Sequence, residues 1–190
     1  MPNLYIIGGC NGAGKTTASF TVLPEILNCR EFVNADEIAR GLSPFQPDKV
    51  AFQSGRIMLG RIHELLSEQI DFAFESTLST KSYRSLIAKA KTMGYTVTLV
   101  YFWLESAILA QERVKIRVEK GGHNIPPEVI TRRYYRGLKN LFAFYLRSVD
   151  GWVFYNNSSS APELIAKGEG EEIVIFNPDI WKLITYDNPV

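Results

Sequence analysis

A short apolar run, Leu4-Tyr5-Ile6-Ile7, opens directly onto Gly8-Gly9-Cys10-Asn11-Gly12-Ala13-Gly14-Lys15-Thr16-Thr17, and this junction constrains the fold more than any other stretch. Aliphatic residues at this density read as a buried parallel strand. The segment from Gly9 to Thr16 satisfies G-x-x-x-x-G-K-[ST] at every fixed position. A loop that wraps phosphate oxygens with successive backbone N–H groups needs positive φ values and no Cβ in the way, which accounts for Gly9, Gly12 and Gly14. Asn11, Ala13 and Thr17 complete the expected nucleotide-binding set. Lys15 supplies a point charge to the β- and γ-phosphates, and the Thr16 hydroxyl is placed to hold Mg²⁺. Residues 15–27 can form a helix whose N-terminus faces the anion. The expected ligand is a nucleoside triphosphate.

The rest of the chain fits an enzyme built around that loop. A length of 190 residues predicts one domain, 1–190, large enough for a full core without disulfides. With 21 basic and 20 acidic residues, no general attraction to nucleic acid or membrane is expected. No stretch approaches the roughly 18 apolar residues of a membrane span, and the first apolar run enters the phosphate loop rather than a cleavage site. The two cysteines, Cys10 and Cys29, make no disulfide framework, which suits a reducing, cytoplasmic compartment. Cys10 is not expected to be a nucleophile, because it occupies a variable loop position.

Further strands are predicted at 31–34, 70–77, 95–104 and 151–157, with short ones near 164–165 and at 173–176. Helices are predicted over 48–69, 83–93, 106–120, 127–147 and 178–184. On the helix at 48–69, Val50, Ile57, Leu59, Ile62, Leu65 and Leu66 are the expected apolar face. Arg56 and Arg61 on it are either solvated or turned to substrate, and His63 is expected to be structural.

Two carboxylates fall at strand ends, where a parallel sheet presents its ligand crevice. Asp36 reads as a helix N-cap or as a general base for an attacking hydroxyl, and the two are compatible. Glu75 closes Phe72-Ala73-Phe74-Glu75-Ser76-Thr77, and could bind Mg²⁺ through water or hold a substrate hydroxyl. Ser76 and Thr77 are substrate contacts or helix caps. The breaker cluster Gly121-Gly122-His123-Asn124-Ile125-Pro126-Pro127 joins two helices rich in Arg113, Lys115, Arg117, Lys120, Arg132 and Arg133. Arginines gathered round a hinge suit a lid over phosphates, since the guanidinium is always charged and forks across two oxygens. Arg117 and Arg132 are the first candidates, with Arg113 and Arg133 next. His123 either stabilises the loop or touches substrate. Asn156 and Asn157 form a plain turn or approach the adenine.

Taken together, GGCNGAGKTT, VNADEIARGLSP, FAFESTLST, RVEKGGHNIPPEVITRRYYRGL and DGWVFYNNS resemble the zeta-toxin-like family of P-loop kinases over roughly residues 3–168. The resemblance implies a three-layer α/β P-loop fold with a mainly parallel five-stranded sheet and a helical lid around 106–147. It implies an ATP- and Mg²⁺-dependent kinase that phosphorylates a hydroxyl of a small molecule, UDP-N-acetylglucosamine in the toxins, and a small antitoxin as partner. It assigns Lys15 and Thr16 to triphosphate and metal, Asp36 as base, Glu75 to substrate or metal, and Arg117 and Arg132 to the lid. The chain is shorter than the toxins, so a smaller hydroxylated metabolite is the competing acceptor. A regulatory ATPase acting through a protein partner, or a metabolic kinase unrelated to toxins, are the other function classes.

Overall fold

A computed structural model describes residues 1–122 and 124–186. One sheet runs through it, in the order β2-β3-β1-β4-β5-β6-β7. The first five strands are β1 (Asn3–Gly9), β2 (Glu31–Val33), β3 (Phe72–Ser76), β4 (Thr96–Trp103) and β5 (Gly151–Asn156), and they pair in parallel. Then β6 (Glu163–Glu169) and β7 (Glu172–Ile175) add an antiparallel hairpin. Among the described residues the sheet therefore has seven strands, where the resemblance implies five. The short strands foreseen near 164 and 173 are full members, and Gly170, at φ +58°, makes the turn between them.

Along β1 and β4 successive side chains enter opposite layers, as the period of two requires. Leu4, Ile6, Val97, Leu99 and Tyr101 join Phe72, Phe74, Met58, Ile62, Leu65 and Trp152 in one core. Ile7, Val100 and Phe102 join Ala13, Leu23, Ala110, Val114, Ile130 and Tyr134 in the other. Both faces of the central strands are covered, which is why their sequences are nearly continuous apolar runs.

The helices are α1 (Lys15–Thr21), α2 (Ala35–Leu42), α3 (Ala51–Glu68), α4 (Tyr83–Thr92), α5 (Ala107–Glu119), α6 (Pro127–Asn140) and α7 (Pro178–Thr185). α1 passes into a π-helical turn at Val22–Ile26, so the helix expected over 15–27 changes its hydrogen-bond register halfway. On α3 the buried stripe is Ser54, Met58, Ile62, Leu65 and Leu66. Ile57 and Leu59, expected in that face, are 42% and 46% exposed, because the stripe follows 54, 58 and 62 rather than the more hydrophobic neighbours. Arg61 pairs with Glu31 at 2.9 Å and Glu64 at 3.3 Å, both on the surface.

α5 and α6 pack together, with Gln111 Nε2 donating to Thr131 Oγ1 at 2.8 Å. They are rooted in the core through Ala107, Ala110, Val114, Ile130 and Tyr134. His123, in the loop between them, lies outside the described residues.

α6 approaches the loop after β3 closely enough that a Cβ on Gly137 would stand 2.4 Å from the Thr77 carbonyl oxygen. The contact is backbone against helix, so neither side can swing away. Gly137→Ala is expected to destabilise the protein by about 1–3 kcal/mol, the usual cost of overpacking, despite the helix propensity that Ala adds. Chemical denaturation of the two proteins measures the difference.

Candidate active site

β1 delivers the chain into the phosphate loop at Gly9, whose φ of +144° belongs to glycine. A Cβ there would lie 2.4 Å from the Phe102 carbonyl oxygen, so the loop can leave the sheet this tightly only without a side chain. Gly14, at φ +81°, is the residue before α1, and no side chain caps that helix. Its first N–H groups are left for an anion. α5 rests on the loop, with the Ala110 carbonyl 2.7 Å from where a Gly12 Cβ would be. Asn157 Nδ2 donates to the Ala13 carbonyl at 2.7 Å.

Glu75, at the end of β3, is the hub of the polar site. Its Oε1 lies 3.4 Å from Lys15 Nζ, and both side chains are almost fully buried. Its Oε2 accepts from Thr16 Oγ1 at 2.7 Å and from Asn34 Nδ2 at 2.8 Å. Lys15 Nζ also donates to the Cys10 carbonyl at 2.9 Å, which holds the ammonium at the mouth of the loop. The charges and donors therefore close on one another, and a triphosphate with its counter-cation would meet Lys15, Thr16 and Glu75 together. A hydroxyl and a carboxylate in contact are hard oxygen donors. They fit Mg²⁺, which keeps several waters and takes one or two protein oxygens besides the phosphates. Among the described residues no cluster of three or more His, Cys, Asp or Glu forms a self-sufficient metal cage.

The Cys10 thiol is pushed up to about 11 by burial, against the lowering effect of nearby Lys15. It stays protonated at neutral pH, in line with the expectation that it is no nucleophile. Cys29 is likewise free and buried, its thiol raised to about 11, chiefly by burial.

Asp36 stands in the first turn of α2, but it is not the cap. Asn34 is: its Oδ1 accepts from the backbone N–H of Asp36 at 2.8 Å and of Glu37 at 3.4 Å. The Asp36 carboxylate is thereby left to the cavities. It borders an outer cleft of about 750 Å³, with Thr16, Thr17, Arg40, Lys49, Arg117 and the lid glycines Gly121 and Gly122. It also borders an inner cavity of about 240 Å³, with Lys15, Glu75, Ser76, Thr77, Tyr83 and Arg133. Asp36 thus borders both spaces. Burial raises the Tyr83 hydroxyl above its ordinary value, against the lowering effect of a hydrogen bond with Ser76, so it enters the inner cavity as a phenol.

The arginines expected in a lid divide. Arg117 lines the outer cleft. Arg133 lines the inner cavity and its Nη1 reaches Asn11 Oδ1 at 3.4 Å. Arg132, one residue earlier and so about 100° round the helix, is exposed and lines neither space. Arg113 is occupied elsewhere, donating to the carbonyls of Asn157 at 2.7 Å and Ser158 at 2.9 Å. With Asn157 on the phosphate loop, it pins the turn after β5 to the nucleotide side of the site. Ser76 and Thr77 cap no helix: Ser76 Oγ accepts from Leu78 N at 3.0 Å, and Thr77 Oγ1 bonds Ser79 Oγ at 2.9 Å. Two residues were missed by sequence reasoning, Asn34 and Tyr83. A signal for the first was present, since an Asn two residues before an Asp at a strand-to-helix junction is a capping pattern.

Residues 4–136 match the model of the family described as AAA domain. An uncharacterised protein of Haemophilus influenzae is 31% identical over 126 residues, covering 66% of this chain and 88% of its own. Among solved structures, the AvrRxo1-ORF1:AvrRxo1-ORF2 complex with sulphate ions superposes with a TM-score of 0.78 at 18% identity, over 97% of this chain. This chain spans only 64% of that one's length. The same complex with ATP gives 0.76, over the same 97% and 64% at the same 18% identity. A structure from the PezAT toxin-antitoxin system of Streptococcus pneumoniae gives 0.68 at 15% identity, over 96% of this chain and 78% of that one. Among the described residues no helix is long and apolar enough to cross a membrane. The chain belongs to the AAA domain family of P-loop proteins, and its fold is the P-loop kinase fold of the zeta-toxin-like kinases.

Proposed function

We propose that this protein is an ATP-dependent phosphotransferase of the zeta-toxin type, moving the γ-phosphate of ATP to a hydroxyl of a small molecule. The observation that carries the proposal is the place of Asp36. It borders the same small cavity as Lys15, Glu75 and Arg133, so an acceptor hydroxyl there would meet a base, the phosphate-binding lysine and a cation at once. A hydrolase needs room only for water, whereas Asp36 also borders a cleft of about 750 Å³.

Phosphoryl transfer asks for positioning and charge stabilisation rather than covalent help. The phosphate loop from Gly9 to Thr17 would cradle the triphosphate, with Lys15 on the β- and γ-oxygens. Thr16 and Glu75 would hold Mg²⁺, which would supply positive charge against the phosphates. Asp36 would accept the proton of the acceptor hydroxyl as the oxygen attacks phosphorus, and ADP would leave. Arg117 from the outer cleft and Arg133 from the inner cavity would cover the transferring group. Arg132, the other lid candidate, would serve at most in long-range attraction.

The inner cavity lies below the usual 300–1,000 Å³ range of ligand sites, so it would admit a small polyol, or only the hydroxyl-bearing end of UDP-N-acetylglucosamine. Both solved neighbours were crystallised within two-component systems, which supports a small antitoxin-like protein as a partner here. Two free thiols and a nucleotide site suit the reducing cytoplasm.

Purified protein with MgATP should release ADP in an acceptor-dependent way when UDP-N-acetylglucosamine or small sugars are added, with a mass gain of one phosphate on the acceptor. ATP turnover that is indifferent to every acceptor would support a regulatory ATPase instead. The lid assignment has its own test. Arg133→Ala is expected to lower kcat about 10²-fold, whereas Arg132→Ala should stay within about threefold, as exposed charges contribute little. Equal losses from the two would mean that both cations reach the phosphates.

A further inference from the structure

Asn34 is 5% exposed, and both ends of its amide are engaged. The Oδ1 atom accepts the N–H groups of Asp36 and Glu37 and so starts α2. The Nδ2 atom donates to Glu75 Oε2 at 2.8 Å and lies 3.4 Å from Thr16 Oγ1. This orientation of the amide is dictated by its surroundings, because two backbone donors require an oxygen and a carboxylate requires a donor.

We propose that Asn34 is a positioning residue that holds the Glu75 carboxylate against the Thr16 hydroxyl, where Mg²⁺ would bind, while fixing the helix turn that carries Asp36. One planar group thus sets the distance between the metal-binding carboxylate and the base. The inference rests on the nucleotide-binding part of the proposed function and is independent of the acceptor. Asn carries its acceptor and its donor on separate atoms, so it serves the two backbone N–H groups and the carboxylate at once. Serine would keep the cap but is too short to reach Glu75. Aspartate would keep the cap but set a second carboxylate against Glu75. Groups that hold a metal-binding carboxylate in place commonly govern metal affinity about 10- to 100-fold.

The test uses Asn34→Ser and calorimetric titration with ATP, once with Mg²⁺ and once with chelator. The expected result is a protein of near wild-type thermal stability, because the cap is retained. Its affinity for ATP in chelator is unchanged, and the enhancement by Mg²⁺ falls about tenfold. In a Glu75→Gln background, adding Asn34→Ser should bring no further loss, since the group it acts through is already altered. An undiminished Mg²⁺ enhancement in Asn34→Ser overturns the inference. So does full additivity of the two changes, or a wild-type protein that binds ATP equally well with and without Mg²⁺. The readout is binding, so failure to phosphorylate any acceptor would refute the kinase assignment without altering this result.

Discussion

Lys15→Met is expected to reduce phosphate transfer by about 10³-fold or more while leaving the chain folded. The lysine is 5% exposed, and its ammonium sits between the Cys10 carbonyl and Glu75. Methionine matches its length and fills the same channel, so the phosphate loop keeps its shape. The variant lacks the ammonium that would lie on the β- and γ-phosphates as negative charge shifts toward the leaving group. Glu75 retains donors from Thr16 and Asn34. The Cys10 carbonyl and Glu75 Oε1 both lose their ammonium partner, at a cost to stability of about 1–3 kcal/mol. Single-turnover kinetics separates the two effects: transfer should collapse while the unfolding transition shifts modestly. A variant within tenfold of wild type would remove Lys15 from the transition state.

Asp36→Asn should be nearly as severe and more selective. The substitution is isosteric, and the α2 cap is untouched because Asn34, not Asp36, provides it. The lost negative charge in the first helical turn costs about 0.3–1 kcal/mol. ATP binding is expected to survive, since the phosphate loop and the Glu75 cluster do not depend on the Asp36 side chain. Transfer to the acceptor should fall about 10²- to 10⁴-fold, the range of a removed general base. Titration with ATP and a rate measurement on the same preparation are sufficient. Transfer at the wild-type rate would assign the proton to another group, and loss of both binding and transfer would make Asp36 part of the nucleotide site.

The loop from Gly9 to Thr16 was legible because its chemistry is local: the glycines, the lysine and the threonine act within one strand–turn–helix unit. Asp36 and Glu75 were legible for a related reason, as a polar residue ending a buried strand in a parallel sheet has one edge to reach. Elsewhere the information is tertiary. Whether Arg132 or Arg133 faces the site depends on the roll of α6, which Gly137 fixes against the Thr77 carbonyl, and Arg133 then meets Asn11 from 122 positions along the chain. Asn34 looks like an ordinary cap until Glu75 is brought beside it from 41 positions along the chain. The β6–β7 hairpin lies outside the five strands that the resemblance implies, although the apolar run Ile173-Val174-Ile175 marks its second strand and stays exposed in the structure. On α3 the hydrophobic Ile57 and Leu59 are exposed, since Ser54 and Met58 join Ile62, Leu65 and Leu66 in the buried stripe, and Ser54 satisfies its hydroxyl on the Val50 carbonyl at 2.9 Å.

The most direct test of the central claim follows the γ-phosphate itself. ATP labelled at that position, Mg²⁺ and a small-molecule extract would be incubated with wild-type protein and with Asp36→Asn, and the label traced by chromatography and mass. A kinase of the kind proposed places the label on an organic phosphate ester, and the Asp36→Asn protein does not. Label recovered entirely as inorganic phosphate, at a rate unchanged by the extract and by the substitution, would show that water is the acceptor and would contradict the account.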